Sequence, residues 1–240
     1  MPHPHPHPHP RRGRDPEDPG PEKLVEAARA SGVTDERLLR ALGATPREAF
    51  VPATGKASAY ADVPIPLAHD QVTTQPSLVA MMVAALGLTG EEHVLEVGSG
   101  LGFQTALLAR LAAYVVGVER WADLAERARA NLAGQGIRNA EIVVGDGTRG
   151  AAGRAPFDAI VVCAAFPEVP PPLAAQLRVG GRLVQPIGPG GQEWVELYER
   201  TDRGLARRRT VVLAHFVRLF GEYGYSPTGR SPTAWFEDTG

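Results

Sequence analysis

The chain has 240 residues, 43% hydrophobic and 22% charged, with a formal net charge of −2. That balance is ordinary for a globular protein and leaves no global basic field for nucleic acid. A single cysteine, Cys163, excludes an intramolecular disulfide framework and suits a reducing compartment. No apolar run approaches the ~18 residues of a membrane span, and no apolar leader core opens the chain. The expectation is a cytoplasmic monomer that binds neither nucleic acid nor membrane.

Residues 1–21, M-P-H-P-H-P-H-P-H-P followed by R-R-G-R-D-P-E-D-P-G-P, hold almost no side chain that a core could use. They read as a disordered tail with polyproline character. His3, His5, His7 and His9 either hold a transition metal loosely or are simply solvated. From Lys23 the pattern turns helical, ending at Ser31-Gly32. A second helix, D-E-R-L-L-R-A-L, starts from Thr34 or Asp35 as N-cap, and Pro46 opens a short third turn reaching Phe50. These pieces form a helical cap before the core. Residues 51–76 are proline-punctuated and long for a connection, which points to a functional loop anchored by Tyr60, Ile65 and Leu67. A helix over Ser77–Leu86 follows, its cap supplied by Thr74-Gln75 and its first turn by Pro76.

Beyond Gly90 strands and helices alternate. The expected strands are His93–Val97, Tyr114–Glu119, Ala140–Val144 and Phe157–Cys163, and the helices Gln104–Leu111, Trp121–Gly134 and Leu173–Leu177. Uninterrupted apolar strands such as A-I-V-V-C suit a parallel sheet covered on both faces. Three further runs, G-G-R-L-V-Q-P-I, Trp194–Arg200 and Arg208–Leu219, are separated by short turns and suit antiparallel pairing at one sheet edge. The fold class is therefore α/β, a doubly wound, mostly parallel sheet. The domain spans residues 22–222, and 223–240 form a C-terminal tail.

In such a sheet a ligand binds at the carboxyl ends of the strands. The strand V-L-E-V runs into a turn with Gly98, Gly100 and Gly102, where the missing Cβ atoms let backbone approach a ligand. Three acids stand at successive strand ends: Glu96, Glu119 and, in G-D-G, Asp146. Glu119 follows Gly98 by 21 residues, the spacing of a carboxylate that holds ribose hydroxyls. A dehydrogenase shares that residue, but its fingerprint is G-x-G-x-x-G, whereas Gly98-Ser99-Gly100-Leu101-Gly102-Phe103 spaces the glycines differently. A carboxylate two residues before the first glycine suits a ligand with hydroxyls and positive charge better than a pyrophosphate.

Here the sequence resembles the class I methyltransferases, and in particular the protein-L-isoaspartate O-methyltransferase family, over roughly residues 24 to 222. The stretches that carry the resemblance are Tyr60-Ala61-Asp62-Val63-Pro64-Ile65-Pro66-Leu67, Asp70-Gln71-Val72-Thr73-Thr74-Gln75-Pro76, V-L-E-V-G-S-G-L-G-F-Q-T-A-L-L-A, V-V-G-D-G, P-F-D-A-I-V-V-C-A-A and Q-L-R-V-G-G-R-L-V-Q-P-I-G. The resemblance implies a Rossmann-like enzyme that methylates L-isoaspartyl, and D-aspartyl, carboxylates of damaged proteins with S-adenosyl-L-methionine, starting repair through a succinimide, and requires no metal. It places Thr74 at the family's active-site serine. It implies that Glu96 and the turn with Gly98, Ser99, Gly100 and Gly102 hold the methionine end, Glu119 the ribose, and Asp146-Gly147 the adenine, with Gln104 and Arg120 as further cofactor-binding residues. Asp70, Gln71, Val72 and Thr73, with Phe216 and Val217 as a strand for β-augmentation, would hold the substrate peptide. Thr74 in place of serine, and Asp70 in place of a glycine, motivate an alternative: a carboxyl methyltransferase acting on an aspartate of a dedicated peptide.

Overall fold

Helix α1 (Pro21–Ala30) buries Leu24 and Ala28, and α2 (Glu36–Gly43) buries Leu38, Leu39, Ala41 and Leu42. The structure is a computed structural model that describes residues 20–189 and 191–226. The readings of the His-Pro segment and of residues 227–240 lie outside the described residues. Asp35, not Thr34, is the N-cap of α2: its carboxylate accepts from Arg37 N at 2.8 Å and Leu38 N at 3.2 Å.

The 51–76 connection has more internal order than its sequence suggests. Short 3-10 turns occupy Ala53–Ser58 and Ala68–Asp70, and β1 (Ile65–Pro66) pairs antiparallel with β2 (Val72–Thr73). Helix α3 (Pro76–Leu86) follows and is apolar nearly all round, as a helix between two packed layers must be. Its cap differs from expectation. Gln75 occupies the N-cap position without capping, and Asp62 accepts from Ser77 N at 2.8 Å instead. A carboxylate meets the positive end of the helix more favourably than an amide does.

The large sheet contains β3 (His93–Val97), β4 (Tyr114–Glu119), β5 (Ala140–Val144), β6 (Phe157–Val162), β7 (Leu177–Ile187), β8 (Glu193–Thr201) and β9 (Gly204–Ala214), in the order β5-β4-β3-β6-β7-β8-β9. Pairs from β5 across to β7 are parallel, and β7-β8-β9 are antiparallel. Helices α4 (Phe103–Ala109), α5 (Ala122–Gly134) and α6 (Pro171–Gln176) complete the doubly wound pattern. The order reverses between β3 and β6, and the crevice opens there.

Strand β9 starts and ends earlier than the sequence suggests. At Phe216 the chain peels away, because Glu193 Oε2 accepts Phe216 N at 3.0 Å. Val217 O and Leu219 N then bond to Ala165 N and O. Residues 223–226, expected in the tail, are held on the body: Tyr225 Oη donates to Pro189 O at 2.7 Å, and its ring meets Phe166 edge-on. Among the described residues, no helix is long and apolar enough to cross a membrane.

Candidate active site

Gly98, Gly100 and Gly102 all have positive φ, at 91°, 55° and 92°, so the turn between β3 and α4 is built from conformations that favour glycine. Beneath it Glu96 is fully buried. Its carboxylate accepts from Gln104 Nε2 at 3.0 Å and from Thr105 Oγ1 at 2.5 Å. Burial pushes its carboxyl up to about 7 against those two hydrogen bonds, and the nearby Glu119 adds to the rise. Gln104 Oε1 is buried with no donor among the described residues. Ser99 lines the cleft, and its hydroxyl packs over Gly117, where a Cβ would come within 2.6 Å of it.

Glu119, at the end of β4, bridges the turn and α5. It accepts from Gly100 N at 2.9 Å and from Trp121 N at 3.0 Å, and burial raises its pKa against these bonds. The Arg120 guanidinium stands over the Trp121 ring at 5.0 Å and the Phe220 ring at 5.4 Å. Asp146 is held by protein donors of its own. Its Oδ1 accepts from Thr148 N and Oγ1, and its Oδ2 from Glu222 N. Although burial works against it, these bonds hold its carboxyl below the usual range. Asp146 therefore fastens the 219–225 segment at the rim, while Gly147 lies on the cleft wall.

One cleft joins Glu96, the glycine turn, Gln104, Glu119, Arg120 and Gly147 to Gln71–Thr74 on one side and Val217–Phe220 on the other. A second groove, between α3 and the end of β9, shares Val72, Thr74, Cys163 and Val217 with it and adds Phe216. Cys163 marks the junction; Gln104 Nε2 donates to its sulfur at 3.0 Å, and burial, with Glu96 nearby, raises its thiol pKa well above normal. Gly102, Asp70 and Asp146 line neither cleft. Asp70 is exposed, in the left-handed region at φ 54° beside His69 at 62°. Gly102 is the N-cap of α4, packed against Ala128.

Sequence reasoning missed two parts of this site. His69 stacks on Trp121 with centroids 3.9 Å apart and places Nε2 3.0 Å from Asp123, so it straps the 67–71 turn to the start of α5. Arg47, next to Glu48 in R-E-A-F, is fully buried behind Thr73 and Thr74. An arginine beside Ala49 and Phe50 was its only signal.

The sequence matches the family described as protein-L-isoaspartate(D-aspartate) O-methyltransferase over residues 20–224. A protein-L-isoaspartate O-methyltransferase of Methanoculleus marisnigri is 48% identical over 208 residues, covering 85% of this chain and 93% of that one. One of Rhodopseudomonas palustris is 45% identical over 207 residues, covering 84% and 94%. A solved protein-L-isoaspartate O-methyltransferase superposes with a TM-score of 0.76 at 29% identity, covering 85% of this chain and 67% of that one. A Plasmodium falciparum structure, described as a putative enzyme of this kind, has a TM-score of 0.73 at 21% identity, covers 85% and 99%, and bears on the fold. With a family match over nearly every described residue and close relatives covered almost end to end, the chain belongs to the protein-L-isoaspartate(D-aspartate) O-methyltransferase family.

Proposed function

We propose that the two joined clefts carry out S-adenosyl-L-methionine-dependent methylation of the L-isoaspartyl carboxylate in a damaged protein or peptide, with D-aspartyl residues as further acceptors. The observation that carries this reading is Thr74, which lines both the cofactor cleft and the peptide groove. The donor set fits the cofactor. Gln104 Oε1, buried and without a donor among the described residues, offers an acceptor to the ammonium of the methionine end. Glu96 would supply negative charge beneath it, Glu119 would hold the ribose hydroxyls, and Gly147 would border the adenine, with Asp146 acting through the rim segment it holds.

S-adenosyl-L-methionine supplies a methyl group activated on a sulfonium, and the acceptor carboxylate becomes a methyl ester. A carboxylate is already ionised at neutral pH, so the chain needs no strong base. Its task is alignment and exclusion of water. The Thr74 hydroxyl orients the acceptor. The Gln71–Thr74 turn and the Val217–Phe220 segment cover the cleft, and Arg218, whose backbone N–H and C=O face away from Ala165, offers an edge for an extended peptide. The ester product has a better leaving group than the acid, so the following backbone nitrogen can close a succinimide, which opens to aspartyl or isoaspartyl. The same reading makes the protein a cytoplasmic monomer with no nucleic-acid or membrane partner, in line with its net charge of −2.

The alternative of a dedicated aspartyl peptide rested on Thr74 and Asp70. Asp70 lines neither cleft, which removes half of that case. The test is labelled S-adenosyl-L-methionine with two peptides identical except that one is isoaspartyl and the other aspartyl. Label on the isoaspartyl peptide alone is expected; label on the aspartyl peptide alone, or on neither, refutes the proposal.

A further inference from the structure

Arg47 is fully buried, and its side chain makes five hydrogen bonds. Nη1 donates to Ala59 O at 3.4 Å and Ala61 O at 3.0 Å. Nη2 donates to Val63 O at 2.9 Å, Thr73 Oγ1 at 2.8 Å and Thr74 O at 3.3 Å. Every one of these acceptors is a neutral oxygen. The anion that Arg47 senses is Asp62, through space, and that carboxylate is already taken by Gln75 Nε2 and Ser77 N. Burial brings the guanidinium down to about 10, with Asp62 opposing, so it stays charged at neutral pH.

A buried cation without a contacting carboxylate is an expensive feature for a loop that needs only a staple. Backbone amides or a neutral side chain could join 59–63 to 73–74 without desolvating a charge. The position of the charge is informative. It sits behind Thr73 and Thr74 and stands 5.8 Å from the centre of the Phe103 ring, itself on the cofactor cleft wall. The guanidinium lines neither cleft, so it acts on an acceptor by field and by holding the loop, and does not pair with it directly.

We propose that Arg47 is a positioning residue for the methyl acceptor: it ties Ala59–Val63 to Thr73–Thr74 and gives the acceptor wall a fixed positive charge that selects a carboxylate over a neutral group. This rests on Thr74 marking the acceptor site. The charge belongs to recognition, and electrostatics says why. Transfer joins an anionic oxygen to a methyl carried by a cationic sulfur, leaving a neutral ester and a neutral thioether. The acceptor's negative charge is already diminishing in the transition state, so a fixed cation stabilises the bound acceptor more than the transition state. Placing that cation one layer back attracts the carboxylate without trapping it.

The test compares the isoaspartyl peptide with the same peptide bearing a carboxamide in place of the acceptor carboxylate, the second measured as a competitive inhibitor. The wild-type chain should prefer the carboxylate by about tenfold or more, roughly the effect of one partly screened charge. Arg47→Met should raise KM for the isoaspartyl peptide by about tenfold with kcat within a few-fold, and bring the preference close to one. The dissociation constant for S-adenosyl-L-homocysteine should stay within about twofold, since the cation is not asked to hold the cofactor. Arg47→Gln, which keeps amide donors and loses the charge, should repeat the loss of preference if the methionine variant fails to fold. Arg47→Lys should retain the preference.

A preference unchanged in both neutral variants overturns the proposal. So does a parallel loss of affinity for both peptides and for S-adenosyl-L-homocysteine, which would mark a purely structural staple. The wild-type protein alone can overturn it by showing no preference for the carboxylate. Thr74→Ala separates the underlying reading: if kcat and KM are unmoved there, the acceptor site itself is misplaced, whatever Arg47 does.

Discussion

Glu96→Gln exposes the price of the cofactor cleft most directly. The carboxyl is fully buried, and burial lifts it from 4.5 to about 7 in the folded protein. A carboxyl raised on folding binds its proton more tightly in the native state, and the resulting stability is full below 4.5 and lost as pH rises through 7. At about 1.4 kcal/mol per pH unit, holding Glu96 charged at pH 8 destabilises the free protein by about 3 kcal/mol. The same linkage gives about 1.4 kcal/mol at pH 5.5, because only part of the interval has been crossed. A glutamine has nearly the same shape and carries no charge; its carbonyl can keep the bond from Gln104 Nε2 and its amide can donate to Thr105 Oγ1. The stability advantage of Glu96→Gln over the wild type should therefore grow by about 2 kcal/mol between pH 5.5 and pH 8. Urea denaturation of the two free proteins at the two pH values reads this out. Cofactor affinity should move the other way. In the wild type, binding a cation favours ionised Glu96, so S-adenosyl-L-methionine should bind more tightly from pH 6 to 8 with release of a proton, measurable by calorimetry in two buffers of different ionisation enthalpy. The glutamine variant should bind more weakly and without that pH dependence. An equal stability difference at both pH values, or wild-type affinity flat across the range, would refute the reasoning.

Glu119→Ala should weaken S-adenosyl-L-methionine binding by about 10- to 100-fold while the protein stays folded, as expected for losing hydrogen bonds to a charged group, and unchanged affinity would remove Glu119 from the ribose. Thr74→Ser keeps the hydroxyl and drops a methyl, so isoaspartyl kcat/KM should be retained within a few-fold or raised; complete loss in a steady-state assay would count against the hydroxyl as the orienting group. Asp70→Gly should alter kcat/KM by less than about twofold, because the residue is exposed, lines neither cleft and occupies a left-handed conformation open to glycine. A larger change in activity would restore Asp70 to the substrate site.

The chain's own periodicities were enough for the alternating core. Strands such as His93–Val97 and Tyr114–Glu119 occupy the residues their apolar runs predict, because a strand buried on both faces tolerates little else. Glu96 and Glu119 were legible for a related reason: a carboxylate closing an apolar strand has few structural uses, and the glycine turn supplies the space. The exit from β9 was not legible. V-L-A-H-F-V-R-L reads as continuous strand, yet the bond from Phe216 N to Glu193, far away in sequence, bends the chain toward Ala165. Asp146 shows the same limit, since G-D-G marks a strand end and Thr148 is a local partner, but the distant partner of its carboxylate, Glu222 N, is known only once the chain has folded back. Arg47 is the extreme case. Local pattern makes it a surface charge on a short turn, and only tertiary packing wraps the 59–74 loop around it. The sequence by itself determined the parallel core, its flanking helices and the two acids, Glu96 and Glu119, that line the cleft, because those follow from short-range spacing and burial. Tertiary structure decided which backbone groups each buried charge satisfies, because a desolvated charge takes its partners from wherever the fold brings polar atoms within reach.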